Sequence, residues 1–237
     1  MAKQGRLCIL SGPSCVGKSP LLKALRQFDA ELTCGRIMLY TSRAPRSIEK
    51  DGVDFYFRDQ AYIRALPSQR YIVGRVRHIW QAIDLKQVIE TFQTHSLILL
   101  ELHPNLVKPL LSHGDFQTVS AGHEVVTIFI APLTRDEIRA LCKETPYSSP
   151  EEAVAAVMTP KLISRALQQG AVLTPAALED IRIRASRAHR EIEEGEHYDH
   201  VLINHDGEDS LHWRYTPPIG EAGATLARFH AIITKDP

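Results

Sequence analysis

The chain is 237 residues long, enough to bury a full core for one α/β domain with an added subdomain. Its 28 Lys and Arg balance 28 Asp and Glu, and aromatic residues make up only 7%, so neither a global positive field nor a basic-aromatic stripe points to nucleic acid. No apolar run reaches the ~20 residues that span a bilayer, the polar start Met1-Ala2-Lys3-Gln4-Gly5-Arg6 reads as no signal peptide, and the four cysteines show no paired spacing, which favours free thiols in a reducing cytoplasm.

In chain order, the apolar run Leu7 to Leu10 predicts the first strand. It feeds Gly12-Pro13-Ser14-Cys15-Val16-Gly17-Lys18-Ser19, a G-x-x-x-x-G-K-S loop, and a helix follows over Pro20 to Phe28. Strand, glycine loop and helix in that order are the context a phosphate-binding loop requires. Successive backbone N–H groups and the positive helix end are expected to wrap the phosphates of a nucleoside triphosphate, with Lys18 reaching the β- and γ-phosphates and the Ser19 hydroxyl on Mg²⁺. Cys15 stands inside the loop, either as a reactive thiol near a helix N-terminus or as a small tolerated residue. Pro20 suits a first helical turn, where its missing N–H is not needed.

Further strands are expected at Arg36 to Tyr40, Asp54 to Phe57, Tyr71 to Val76, Ser96 to Leu102, Glu124 to Ile130 and His200 to Ile203. Helices are expected at Trp80 to Thr91, Asn105 to Ser112, Thr134 to Cys142, Pro175 to Glu194 and Gly220 to Ile233. Ser96-Leu-Ile-Leu-Leu100 and Val125-Val-Thr-Ile-Phe-Ile130 are continuously apolar, as strands covered on both faces are. The alternation predicts an α/β fold, a P-loop doubly wound parallel sheet. Two segments break it. Residues 40 to 79 carry short strand patterns and read as a small β-rich insertion. Residues 143 to 175 hold Pro146, Pro150, Pro160, Gly170 and Pro175 around two short helical stretches, which fits either a helical lid or a surface insertion without a gating role. The main domain is accordingly drawn over residues 1–206, with its core at 1–39, 80–142 and 176–206, and residues 207–237 form a C-terminal loop and helix packing on it.

A second constellation lies in Tyr40-Thr-Ser-Arg-Ala-Pro-Arg-Ser-Ile-Glu-Lys-Asp-Gly-Val-Asp-Phe-Tyr-Phe57. Arg43 and Arg46 flank Pro45, with Glu49 three residues on. Two guanidinium forks on a rigid turn suit the phosphate of an acceptor, with planar geometry that lysines lack. In isolation a solvated basic turn, with Glu49 as an ordinary ion-pair partner, accounts for the pattern better.

Ser11-Gly-Pro-Ser-x-x-Gly-Lys-Ser followed by Thr41-Ser-Arg-x-Pro-Arg-x-x-Glu-x-x-Gly-x-Asp-Phe-x-Phe resembles the guanylate kinase family. The resemblance continues through Leu99-Leu-Glu-Leu102, Thr127-Ile-Phe-Ile-Ala-Pro-Leu-Thr134 and Arg182-Ile-Arg-Ala-Ser-Arg-Ala-His-Arg-Glu-Ile192, and ends at Tyr198-Asp-His-Val-Leu-Ile-Asn204. It implies a P-loop core with a β-rich acceptor region and a helical lid, and transfer of the γ-phosphoryl of ATP to GMP. By the same resemblance Lys18 and Ser19 hold the ATP phosphates and Mg²⁺, and Arg43 and Arg46 grip the acceptor phosphate. Glu101 matches an acidic residue near the metal, although a strand-end carboxylate capping the next helix reads as well. Arg184 matches a lid arginine that neutralises the transferring group, with Arg182 and Arg187 close enough in sequence to exchange roles. Asn204 is expected to help form the adenine pocket or to be a simple turn asparagine.

On the acceptor side the chain departs from the family. Leu39 replaces a serine, Phe55 a tyrosine that assists phosphate binding, and His103 an aspartate that meets the guanine base. A site that loses its base-reading partners loses discrimination, and His103 is the candidate to hydrogen-bond a different acceptor. Two other functions remain open: phosphorylation of ribose 1,5-bisphosphate, and a non-catalytic guanylate-kinase-like binding module. The chain is expected to be monomeric or homodimeric, with a small phosphorylated molecule as acceptor and neither nucleic acid nor membrane as partner. The eleven histidines fit no compact ligand spacing.

Overall fold

A computed structural model describes residues 5–45, 49–144 and 147–235. The chain forms two compact units, one of Met1–Ile9 with Thr33–Val126 and the other of Leu10–Leu32 with Thr127–Asp236. Strand β1 (Arg6–Ser11) begins in the first unit and ends in the second, as does β8 (Glu124–Ala131). Every residue of β1 is buried, as a strand covered on both faces must be.

In the first unit β2 (Gly35–Arg36) pairs in parallel with β7 (Leu97–Glu101), and the order is β2-β7-β1-β8. Helices α3 (Leu85–Thr94), α4 (Pro104–Leu111) and α5 (Gly114–Ser120) bury Leu85, Val88, Leu106, Leu110 and Phe116. A second sheet holds β3 (Tyr40–Thr41), β4 (Tyr56–Phe57), β5 (Tyr71–Val76) and β6 (Ile79–Asp84) in the order β4-β3-β6-β5. Helix α2 (Gln60–Arg64) joins it, capped by the Asp59 carboxylate, which accepts from Tyr62 N–H.

Three expectations are corrected here. The run Arg36 to Tyr40 is two strands in two sheets. Between them the Gln87 side chain takes both backbone groups of Met38, its Oε1 accepting from the N–H at 3.0 Å and its Nε2 donating to the carbonyl at 3.2 Å, so no ladder forms there. The helix expected from Trp80 starts at Leu85 instead. Asp84 ends β6 and caps α3, accepting from Lys86 N–H at 3.0 Å, so strand rather than helix runs from Ile79 to Asp84. Helices α2 and α5 had no counterpart in the periodicity.

In the second unit β8 lies parallel to β9 (His200–Ile203), with Ile128 opposite His200 and Ala131 opposite Ile203. Helices α1 (Lys18–Phe28), α6 (Arg135–Glu144), α7 (Pro150–Gln168), α8 (Pro175–Glu194) and α9 (Gly220–Thr234) complete it. The two short helical stretches expected between residues 143 and 175 are one helix of 19 residues, α7, which continues through Pro160. Burial of Ala153, Val154, Met158 and Leu162 along one stripe outweighs the roughly 3 kcal/mol that an internal proline costs. Helix α8 packs against α7 and buries Ile181, Ala185, Ala188 and Ile192.

Candidate functional site

The glycine loop sits wholly in the second unit. Gly12 has φ 144°, and a Cβ there would lie 2.4 Å from the Ile130 carbonyl oxygen. Gly17 has φ 96°, and its Cβ would lie 2.7 Å from Asn204 Nδ2 and 3.0 Å from Trp213 Cζ2. Both positions therefore exclude any side chain by space and by backbone conformation. Gly17 is the N-cap of α1 and makes no side-chain cap, so the first N–H groups of that helix are left for an anion. Lys18 Nζ donates to the Gly12 and Pro13 carbonyls, both at 2.8 Å, which holds the ammonium against its own loop. Ser19 is exposed in the first turn of α1, and Ser14 is half-buried. Glycines that admit no Cβ, a helix N-terminus and an ammonium make a donor set that fits a phosphate chain.

Cys15 is only 2% exposed and has φ 71°, the left-handed region that favours glycine. Its thiol donates to the Lys161 carbonyl at 3.3 Å, and burial pushes its pKa up to about 11. It is a packed side chain; the alternative of a reactive thiol does not fit that burial. Val16 is buried beside it. Asn204, at the end of β9, is fully buried, and its Nδ2 donates to the Val16 carbonyl at 2.8 Å. That places its amide nitrogen against the loop, while its Oδ1 is buried without a hydrogen-bond partner among the described residues. On α8, Arg184 is the half-buried member of its trio, paired with Asp180 at 2.6 Å, while Arg182 is bound to Glu179 and both Arg182 and Arg187 are exposed.

The acceptor candidates lie in the first unit. Arg43 Nη1 and Nη2 donate to the two Glu49 carboxylate oxygens at 2.6 and 2.7 Å, a fork-to-fork pair whose side chains are 21% and 12% exposed. The guanidinium also lies over the Phe55 ring at 4.9 Å and the Phe57 ring at 5.5 Å. Glu49 and the two rings thus set the plane of Arg43. Arg46 falls outside the described residues. Glu101 ends β7 half-buried. His103 caps α4: its Nδ1 accepts from Asn105 N–H at 3.2 Å, so in the neutral ring the proton is on Nε2.

Two polar side chains that sequence reasoning did not single out share a face of the second sheet. Thr41 and Gln81 pair across β3 and β6, and Gln81 pairs in turn with Gly74. Thr41 Oγ1 and Gln81 Oε1 are buried without a hydrogen-bond partner among the described residues. Only the strand register brings them together, and no spacing in the chain announces it. Leu39 is buried, 6% exposed, one residue before β3.

A buried parallel strand, a loop that demands glycine at both ends and a lysine–serine pair opening a helix define a P-loop protein with a site for a nucleotide's phosphate chain. The guanylate kinase family model matches residues 4–161, and the chain belongs to that family. It is 24% identical to the guanylate kinase of Mycoplasmoides gallisepticum over 88% of this chain and 89% of that one. It is 25% identical to the guanylate kinase of Rickettsia bellii over 90% and 93% of the two chains. In fold it is similar to the crystal structure of guanylate kinase from Anaplasma phagocytophilum, with a TM-score of 0.56 at 20% identity over 97% of this chain and 85% of that chain. No helix among the described residues is long and apolar enough to cross a membrane.

Proposed function

We propose that the chain transfers the γ-phosphoryl group of ATP to the phosphate of GMP, giving ADP and GDP, in a reducing cytoplasm that keeps its four cysteines out of disulfides. The observation that carries this reading is the loop itself: φ values and steric limits at Gly12 and Gly17 that admit only glycine, with Lys18 held at its mouth. A phosphate oxygen of the acceptor attacks the γ-phosphorus while the bond to the bridging oxygen breaks and ADP leaves. The attacking oxygen is already ionised, so no general base is needed. The protein's work is therefore positioning and charge neutralisation. Mg²⁺, when bound, supplies positive charge to the transferring group. Ser19 and Glu101 are the side chains that would hold it.

Lys18 draws charge from the donor phosphates. Arg43, its plane set by Glu49 and Phe55, orients the acceptor phosphate together with Arg46. Arg184 adds charge from α8. A second reading keeps the reaction and changes the acceptor to ribose 1,5-bisphosphate; buried Leu39, the phenyl ring of Phe55 and His103 in place of serine, tyrosine and aspartate favour it. The test is ADP release in a coupled assay with GMP, dGMP, AMP, UMP and ribose 1,5-bisphosphate. We expect GMP-dependent release that Lys18→Ala lowers by about 100-fold or more. Release no greater than the Lys18→Ala background with every acceptor would leave only the binding-module reading.

A further inference from the structure

The second sheet has two unlike faces. On one, the Tyr40 ring packs against the rings of Tyr56, Tyr71 and Tyr62, with centroids 4.7, 5.6 and 6.5 Å away. Successive residues of a strand point to opposite faces, so Thr41, next along β3, belongs to the other. Its cross-strand neighbours there are Phe57 on β4 and Gln81 on β6, and beyond Gln81 lies Gly74 on β5. The Arg43 guanidinium, 5.5 Å from the Phe57 ring, lies on this same face. At Gly74 a Cβ would collide with the Leu106 side chain, so α4, the helix that His103 caps, comes close to the sheet at that point. Thr41 and Gln81 therefore stand between the arginine proposed for the acceptor phosphate and the helix headed by His103. All of these residues belong to the first unit.

Thr41 is fully buried, yet its Oγ1 meets no hydrogen-bonding group among the described residues, and neither does Gln81 Oε1. Buried polar groups are nearly always satisfied, because an unmade bond leaves the folded state with the full desolvation of the group. The strand itself does not ask for either side chain. Valine suits a β-branched strand position as well as threonine does, and the residues after Gln81 on β6, Ala82 and Ile83, are apolar. The two orphaned atoms are complementary. The threonine hydroxyl can donate, whereas the amide oxygen only accepts. A hydroxyl on a ligand does both, so a single one can satisfy the pair.

We propose that Thr41 and Gln81 bind a sugar hydroxyl of the acceptor, beside the phosphate that Arg43 holds. GMP and ribose 1,5-bisphosphate share this chemistry, since each is a phosphorylated pentose with free hydroxyls on its ring. The contact is independent of the base. It deepens the kinase reading and rests on Arg43 as the clamp of the acceptor phosphate.

Thr41→Val and Gln81→Met keep the shape of each side chain and remove its hydrogen-bonding atoms. Steady-state kinetics at saturating ATP are measured with GMP and with ribose 1,5-bisphosphate, each beside its 2,3-dideoxy counterpart, and thermal unfolding is followed without ligand. With whichever acceptor the unaltered protein phosphorylates, each variant should raise KM for that acceptor about 3- to 10-fold through the loss of one neutral hydrogen bond. KM for ATP and KM for the dideoxy compound should match those of the unaltered protein. Tm should not fall, because an apolar group of the same shape removes the desolvation cost of an unpartnered polar one. An unchanged acceptor KM in either variant overturns the proposal. A raised KM for the dideoxy compound would move the contact to the phosphate or the base and overturn it also. A lower Tm would show that the atoms are satisfied in the free protein, by an ordered water for instance, and that the pair is structural. None of these results touches the kinase reading, which fails separately if the unaltered protein phosphorylates no acceptor; the sugar contact then falls with it.

Discussion

At Cys15 the gap between two substitutions separates backbone strain from side-chain packing. A residue with a Cβ in the left-handed region costs about 1–2 kcal/mol relative to glycine, and Cys15 has φ 71°. Replacing it with alanine keeps that cost and removes a buried sulfur together with its bond to the Lys161 carbonyl, for a loss of about 1 kcal/mol. Glycine removes the buried Cβ as well, at about 0.8 kcal/mol, and adds about 0.5–1 kcal/mol of chain freedom to the unfolded state, but it relieves the strain. These effects offset one another, so Cys15→Gly and Cys15→Ala should agree within about 0.5–1 kcal/mol, whereas at an ordinary buried position alanine is the more stable by about 1–2 kcal/mol. For a chain of this size the ordinary gap corresponds to about 2–8 °C in Tm. Urea unfolding with matched m-values and a calorimetric scan on both variants make the comparison. An alanine variant more stable than the glycine variant by that ordinary gap would show that residue 15 carries no left-handed strain, and the loop geometry drawn from it would be wrong.

Other expectations follow from burial and charge. Burial pushes the Cys8 and Cys15 thiols up to about 12 and about 11, whereas Cys34 and Cys142 are half-buried. A thiol reagent at pH 8 should titrate two groups quickly in the folded protein and all four after denaturation; four fast thiols would contradict the packing of β1 and the loop. Asp206 accepts from Ser210 Oγ at 3.0 Å, His212 Nδ1 at 2.9 Å and Ala222 N–H at 2.7 Å. Burial opposes its ionised form, but the bonds from His212, Ala222 and Ser210 together outweigh it and hold the carboxyl below its ordinary value. Because the folded value is the lower one, its stabilisation is present above about pH 4 and is lost as pH falls through the folded value. Asp206→Asn should accordingly lower stability at pH 7 and flatten the loss of stability below about pH 4. An unchanged acid limb would remove Asp206 from the account.

The donor half was legible in the chain because its parts are contiguous. Gly12, Gly17, Lys18 and Ser19 lie within eight residues, and each has a chemical duty that few other residue types perform. The apolar strands β1, β7 and β8 and the amphipathic helix α8 were equally plain, since local periodicity reports burial directly. The strand β6 was hidden because Trp80 to Thr91 mixes a period of two with a period near 3.6, and only Asp84, as a cap, marks the change. The split between β2 and β3 depends on Gln87, 49 positions from Met38.

The sequence by itself marked the candidate groups: a phosphate loop, its cation and the arginine proposed for the acceptor, all written in short segments where residue type and spacing single them out. Tertiary structure alone decided how those groups are held. Glu49 and Phe55 fix the plane of Arg43, Asn204 reaches Val16 across 188 residues, and the register of β3 on β6 sets Thr41 beside Gln81. Such contacts join distant parts of the chain, and their partners are ordinary polar residues whose meaning comes from burial, which no local pattern encodes.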